Sequence, residues 1–156
     1  MQRNGLESAL VFTLMGCSFA AELKFIKETV QLLPITRVPR LPDWLSGIVN
    51  LRGNIIPIAD LALFFNGEAS SAPTPYSCIV VLTCGDYTLG VLAENVLRLY
   101  GTKENHLNEG LFRARRGFEK YVKKEFSDNG KVIFLLDVEK IFRELSGDEE
   151  YAEKEK

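Results

Sequence analysis

Few residues in this chain could carry out covalent or acid–base chemistry, and their spacing argues against it. The single histidine, His106, lies in TKENHLNEG, a polar stretch with loop character. That setting suits a solvated imidazole better than a general base. Adjacent carboxylates occur as Glu149-Glu150 near the end of the chain, and the others are scattered singly, so no glycosidase-like or protease-like pair stands out. Gly5, Gly16, Gly47 and Gly53 are isolated turn glycines rather than a phosphate loop, and no serine sits in a nucleophile elbow. Cys17, Cys78 and Cys84 are an odd number of thiols in or beside apolar strands. In one extended strand Cys78 and Cys84 would lie roughly 20 Å apart, too far to bridge or share a metal. Buried, apolar thiols are expected, with no metal and no cofactor.

The residue that does stand out is an arginine. In GIVNLRGNIIPIADLALF (Gly47 to Phe64), a short apolar strand runs into Arg52, Gly53 and Asn54 turn the chain, and a second apolar strand follows up to Asp60. Asp60 ends that strand and opens a helical turn. A guanidinium at a hairpin tip with no acid, nucleophile or metal ligand beside it suits docking rather than catalysis, because it is always charged and bonds in a fixed fork.

The elements that must position Arg52 are mostly strands. Ala9 to Leu14 reads as a strand, Met15 to Ser18 as a glycine turn, and Phe19 onward as the return strand. Leu23 to Leu33 fits both a helix face (Leu23, Ile26, Val30) and, in its second half, a strand. Pro34, Pro39 and Pro42 break the chain, and Asp43 to Leu45 reads as a short helical turn. Asn66 to Tyr76 (NGEASSAPTPY) has linker composition. Beyond it, Ser77 to Cys84, Tyr87 to Leu92 and Lys131 to Leu136 read as strands, and Asp137 caps a helix over Val138 to Leu145. The residues from Gly147 to Lys156 form a charged tail.

The two halves repeat. ALVFTLMGCSF resembles CIVVLTCGDYT, and NIIPIADLALFF resembles KVIFLLDVEKIF. The offset of roughly 70 residues predicts two similar β-rich units, each too small to be robust alone and therefore packed together. The expected division is residues 8–66, a linker at 67–76, and residues 77–146. The last helix should seal the packing with Val138, Ile141, Phe142 and Leu145.

The totals agree with a globular chain of 156 residues, 46% apolar, with a net charge of -2. No apolar run reaches the roughly 20 residues of a membrane helix, and no secretory signal is visible, so a cytoplasmic location without membrane insertion is expected. One stretch invites a nucleic-acid reading. Arg113, Arg115, Arg116, Lys120, Lys123 and Lys124 are interleaved with Phe112, Phe118 and Tyr121, a composition that could stack on a single strand. Glu109, Glu119 and Glu125 interrupt it and the chain as a whole is acidic, so a solvated loop is the stronger reading.

Taken together, the NLRG hairpin, the duplicated β-units and the lack of catalytic groups resemble the CheW family of chemotaxis adaptors. The resemblance spans residues 8 to 145 and is carried by four stretches: GIVNLRGNIIPIADL, FAAELKFIKETVQLLPITRVPRLP with Thr36-Arg37 and Pro42, CGDYTLGVLAENV, and VIFLLDVEKIF. It implies a mainly β fold of two five-stranded SH3-like barrels on a shared hydrophobic core, with short helices and a C-terminal helix. It also implies a non-catalytic adaptor, associated with receptor arrays at the inner membrane. Such an adaptor couples the cytoplasmic tip of a transmembrane chemoreceptor to the regulatory domain of a histidine kinase, with no nucleic-acid partner. Positions similar to the family's receptor groove are Arg52, Leu23, Ile26, Glu28, Cys78, Gly90 and Val96. Arg52 and Glu28 would be polar anchors and the others the groove floor. Thr29, where the family usually has a large aliphatic residue, Ala62, where it often has a basic one, and the basic stretch from Arg113 to Lys124 depart from the pattern.

Overall fold

The computed structural model describes residues 8–66, 72–100, 108–109, 118–128 and 130–146. In the first half, β1 (Ala9–Leu14), β2 (Cys17–Glu22), β3 (Ile26–Gln31), β4 (Leu45–Leu51) and β5 (Asn54–Ala59) precede helix α1 (Leu61–Asn66). In the second half, β6 (Cys78–Cys84), β7 (Tyr87–Ala93), β8 (Asn95–Tyr100), β9 (Asn108–Glu109), β10 (Val122–Asp128) and β11 (Lys131–Leu136) precede helix α2 (Val138–Leu145).

The strands form two sheets, ordered β8-β1-β2-β11-β10-β9 and β3-β6-β7-β5-β4. Each sheet draws on both halves of the chain, so neither sheet follows the division at the linker. The hairpin β1–β2 is completed by strands of the second half, and β6–β7 by strands of the first. The joins are parallel: β2 on β11, with Ala20 opposite Leu135, and β7 on β5, with Gly90 opposite Ile58. The duplication read from the sequence is therefore present but intertwined. In the second sheet, Thr36, beyond β3, exchanges backbone hydrogen bonds of 2.8 and 2.9 Å with Ile48 of β4, so the chain after one edge strand reaches the opposite edge.

Three apolar clusters follow from strand alternation. One face of the first sheet encloses Ala9, Val11, Ala20, Phe126, Ile133 and Leu135. One face of the second encloses Val49, Ile56, Ile58, Ile79 and Val81. The largest cluster joins the two sheets through Phe12, Phe19, Leu82, Val91, Phe118 and Ile141, with residues from both helices. Val138, Ile141 and Phe142 of α2 are buried in it and Leu145 packs against it, as the periodicity predicts. Aromatic rings fill its middle, with Phe19 on Phe118 and Phe64 on Tyr121, each at 5.0 Å between centroids. Both helices start alike. Asp60 and Asp137 accept from the backbone N–H groups of Leu63 and Lys140 at 3.2 and 3.1 Å.

Several local expectations change. Leu23–Phe25 is a 3-10 turn and Ile26–Gln31 a strand, so the helical reading of this stretch does not hold. A 2.9 Å bond from the Leu23 N–H to the Ser8 carbonyl helps fix the turn. Asp43 and Trp44 form a turn without a helix. Val122–Asp128 is a sheet strand whose Phe126 is buried, so the end of the basic stretch expected as a loop (Arg113 to Lys124) lies in a strand; the lysines at its start masked an alternation that only pairing with β11 reveals.

Gly90 exposes a tight packing constraint at the β5–β7 join. A Cβ there would sit 2.5 Å from Ile58 Cδ1 and 2.9 Å from Ile79 Cγ2. The equivalent position of the other parallel join holds Ala20. Replacing Gly90 with valine should therefore destabilise the fold by about 1–3 kcal/mol, the range for overpacking a filled core. Urea denaturation reads this as a lowered midpoint. An unchanged midpoint would show that the β5–β7 join has slack.

Candidate docking site between the sheets

The β4–β5 hairpin places Arg52 by turn geometry. Arg52 and Gly53 have φ of 52° and 86°, as a two-residue hairpin turn with both central residues left-handed requires. Asn50 Oδ1 accepts from the Gly53 N–H at 2.8 Å and braces the turn. Arg52 is thus held at a rigid tip in a conformation that an arginine rarely adopts.

Its guanidinium reaches β3. Nη1 lies 3.1 and 3.4 Å from the two carboxylate oxygens of Glu28, and Nη2 also bonds Glu28 Oε1. The pair is superficial: the Arg52 side chain is 62% exposed and that of Glu28 26%. Water screens such a pair, so it contributes little to stability. What it does is orient both groups at the end of the second sheet. The sequence singles out both residues but gives no reason to join them, since 24 positions separate them.

The apolar candidates divide. Ile26, Cys78 and Val96 are half-buried, and all three pack against the cluster shared by the sheets. Ile26 and Val96 approach it from opposite sheets, opposite Leu82 and Phe12 respectively. Burial pushes the Cys78 thiol above its usual pKa, so this thiol is neutral at physiological pH. Leu23 is exposed at the start of the 3-10 turn. Gly90 stands in the same cross-strand row as Glu28, with Val81 between them. Ile58 and Ile79 fill the space that a Cβ would need, so the close packing of β5 and β6 around β7 requires glycine there.

Among the described residues, no three His, Cys, Asp or Glu side chains could hold a metal ion together. No helix there is long and apolar enough to cross a membrane. His106 and Glu149-Glu150 lie outside the described residues, as do Phe112, Arg113, Arg115 and Arg116. The remaining cations of the basic stretch are partly engaged: Lys123 lies 3.4 Å from Glu22, and Lys120 3.7 Å from Glu144. A cationic track for a nucleic acid has no support here.

Comparisons with known proteins agree with this arrangement. The family model for the CheW-like domain matches residues 8–146. The chemotaxis protein CheW of Thermotoga maritima is 29% identical over 137 residues, covering 88% of both chains. Protein FrzA of Myxococcus xanthus is 36% identical over 75 residues, 47% of this chain and 46% of that protein. Among solved structures, the scaffolding protein TtCheW from Thermoanaerobacter tengcongensis superposes with a TM-score of 0.71 at 23% identity. That superposition covers 85% of this chain and 89% of that one. With a match over nearly its whole length, and two sheets arranged like those of a solved relative, this chain belongs to the CheW-like family.

Proposed function

We propose that this protein is a non-catalytic adaptor of chemotaxis-type two-component signalling, coupling the cytoplasmic tips of transmembrane chemoreceptors to a histidine kinase. The observation that carries this reading is the CheW-like family match over residues 8–146. On this reading the protein works in the cytoplasm, at receptor arrays under the inner membrane, and its partners are the receptor tip and the regulatory domain of the kinase.

The geometry supports a helix-in-groove mode for the receptor. A docked amphipathic helix needs an apolar floor and a few fixed polar groups that set its register. Ile26, Cys78 and Val96 supply apolar surface at the shared core, with Leu23 exposed nearby in sequence. The Arg52–Glu28 pair supplies a rigid polar anchor that can exchange partners without disturbing the core. Gly90 acts one step back, by letting β5 and β7 pack closely enough to set the height of that floor.

Charge reversal at the anchor separates docking from folding. The Arg52→Glu chain should keep its stability within about 1 kcal/mol, as expected for a solvent-exposed pair. It should also lose receptor-tip binding in calorimetric titration. If it unfolds, Arg52 is a structural residue and the anchor assignment fails. The first measurement is titration of the wild-type chain with the CheW-like regulatory domain of a histidine kinase from the same genome. Saturable binding that leaves a receptor-tip peptide free to bind supports the adaptor reading, and no binding removes it.

Cys78 gives an independent check. Because burial raises its pKa, its alkylation at neutral pH should be slower than that of a free thiol and should accelerate as pH rises. A bound receptor tip should slow it further. Labelling that ignores the receptor tip would take Cys78 out of the groove.

A further inference from the structure

Two arginines stand outside the pairing of charges seen elsewhere. Among the described residues, Arg52 pairs with Glu28 and Arg98 with Asp128, whereas Arg37 and Arg40 are exposed and have no ion-pair partner. Both belong to residues 32–44, which connect β3 to β4. Backbone bonds of 2.8 and 2.9 Å between Thr36 and Ile48 fix the chain just before Arg37. Beyond it, Pro39 and Arg40 form a turn. A proline followed by a left-handed residue, Arg40 with φ of 67°, is the pattern of a type II turn.

Arg40 is strained where it stands. Three described residues other than glycine are left-handed: Met15, Arg40 and Arg52. Met15 and Arg52 each precede a glycine in a two-residue hairpin loop, where the twist of the strands requires that conformation. The third position of a type II turn suits glycine or asparagine, so the backbone gives no reason for arginine at 40. The reason lies with the side chain. Arg37 and Arg40 line an open recess of about 480 Å³. Leu41, Leu45, Leu63 and Leu92 give it apolar walls from the connection, β4, α1 and β7. A bond of 2.7 Å from the Asp60 N–H to the Trp44 carbonyl ties α1 to the start of β4, so these walls hold their shape. Asp43 and Asp60 also line the recess, but neither pairs with an arginine there. Asp60 caps α1 instead, accepting from the Leu63 N–H.

We propose that this recess binds a small organic phosphate, its oxygens on Arg37 and Arg40 and its apolar body on the leucine walls. A guanidinium is always charged, is weakly hydrated and presents a fork of donors that matches phosphate oxygens. Two of them match a phosphate monoester, with a charge of about −1.5 to −2 at neutral pH, more closely than the single charge of a carboxylate. The volume of the recess falls within the range of roughly 300–1,000 Å³ typical of small-molecule sites. None of the docking residues Arg52, Glu28, Ile26, Cys78 and Val96 lines it, so the proposal goes beyond the adaptor reading and stands without it.

Phenyl phosphate serves as the probe and Trp44 as the reporter. Trp44 is the single tryptophan of the chain and stands between Asp43 and Leu45, which both line the recess. Titrating the full chain with phenyl phosphate should change its tryptophan fluorescence saturably. Inorganic phosphate should bind at least about tenfold more weakly, because it has no apolar body to bury. Benzoate, which keeps the ring but carries one charge, should also bind more weakly. Arg37→Gln and Arg40→Asn should each weaken phenyl phosphate about tenfold, the worth of one hydrogen bond to a charged group. Arg40→Asn also separates binding from folding. Asparagine suits the left-handed turn position, so the urea midpoint should stay level or rise while binding weakens. A lower midpoint would make Arg40 a structural residue and overturn the proposal. So would the lack of a saturable change with phenyl phosphate, or binding that survives both substitutions together. Inorganic phosphate or benzoate binding as tightly as phenyl phosphate overturns it as well.

Discussion

The two parallel joins, β2 on β11 and β5 on β7, are the constraint on which everything else rests. Each sheet begins with a hairpin from one half of the chain and can be completed only by strands of the other. Parallel neighbours need long crossovers, and here residues 23–130 separate β2 from β11 and residues 60–86 separate β5 from β7. Neither half can form its sheet alone, so the two form together or not at all. The largest core cluster lies where this interleaving brings the sheets face to face, with residues of both helices and aromatic rings in its middle.

That arrangement determines what the surface can do. A core shared by two sheets leaves side chains of both partly open at its margin, Ile26, Cys78 and Val96 among them. The Arg52–Glu28 pair is positioned separately, by a hairpin whose turn holds Arg52 left-handed and whose Asn50 braces it. In the proposed docking mode, apolar floor and polar anchor thus have different structural origins, so the charge at Arg52 can change while the apolar residues stay in place.

The intertwined duplication also supplies an internal comparison, because each position on one sheet has a counterpart on the other under the same backbone constraint. Where the counterparts agree, as with the capping Asp60 and Asp137, the fold accounts for both. Where they differ, as with Glu28 against Arg98 or Lys27 and Thr29 against Leu97 and Leu99, the fold does not require the difference. Such asymmetry gives the two ends of the molecule different chemistry.

By itself, the sequence determined the properties set by near neighbours: a glycine hairpin turn after Leu51, the Asp caps, the α2 face formed by Val138, Ile141 and Phe142, and the mainly β character of the chain, while the structure moved the turn from Gly53-Asn54 to Arg52-Gly53. These rest on period, turn chemistry and capping within a few residues, which a single strand of sequence carries in full. The NLRG stretch and the repeat were also enough to reveal the family. Only the tertiary structure decided which half completes which sheet, because strand pairing depends on contacts far apart in sequence. It brought Glu28 to Arg52, placed Val122–Asp128 in a strand, and gave Gly90 a packing role inside one sheet. In each case the deciding partner lies on a strand distant in the chain, so local pattern could not reveal it.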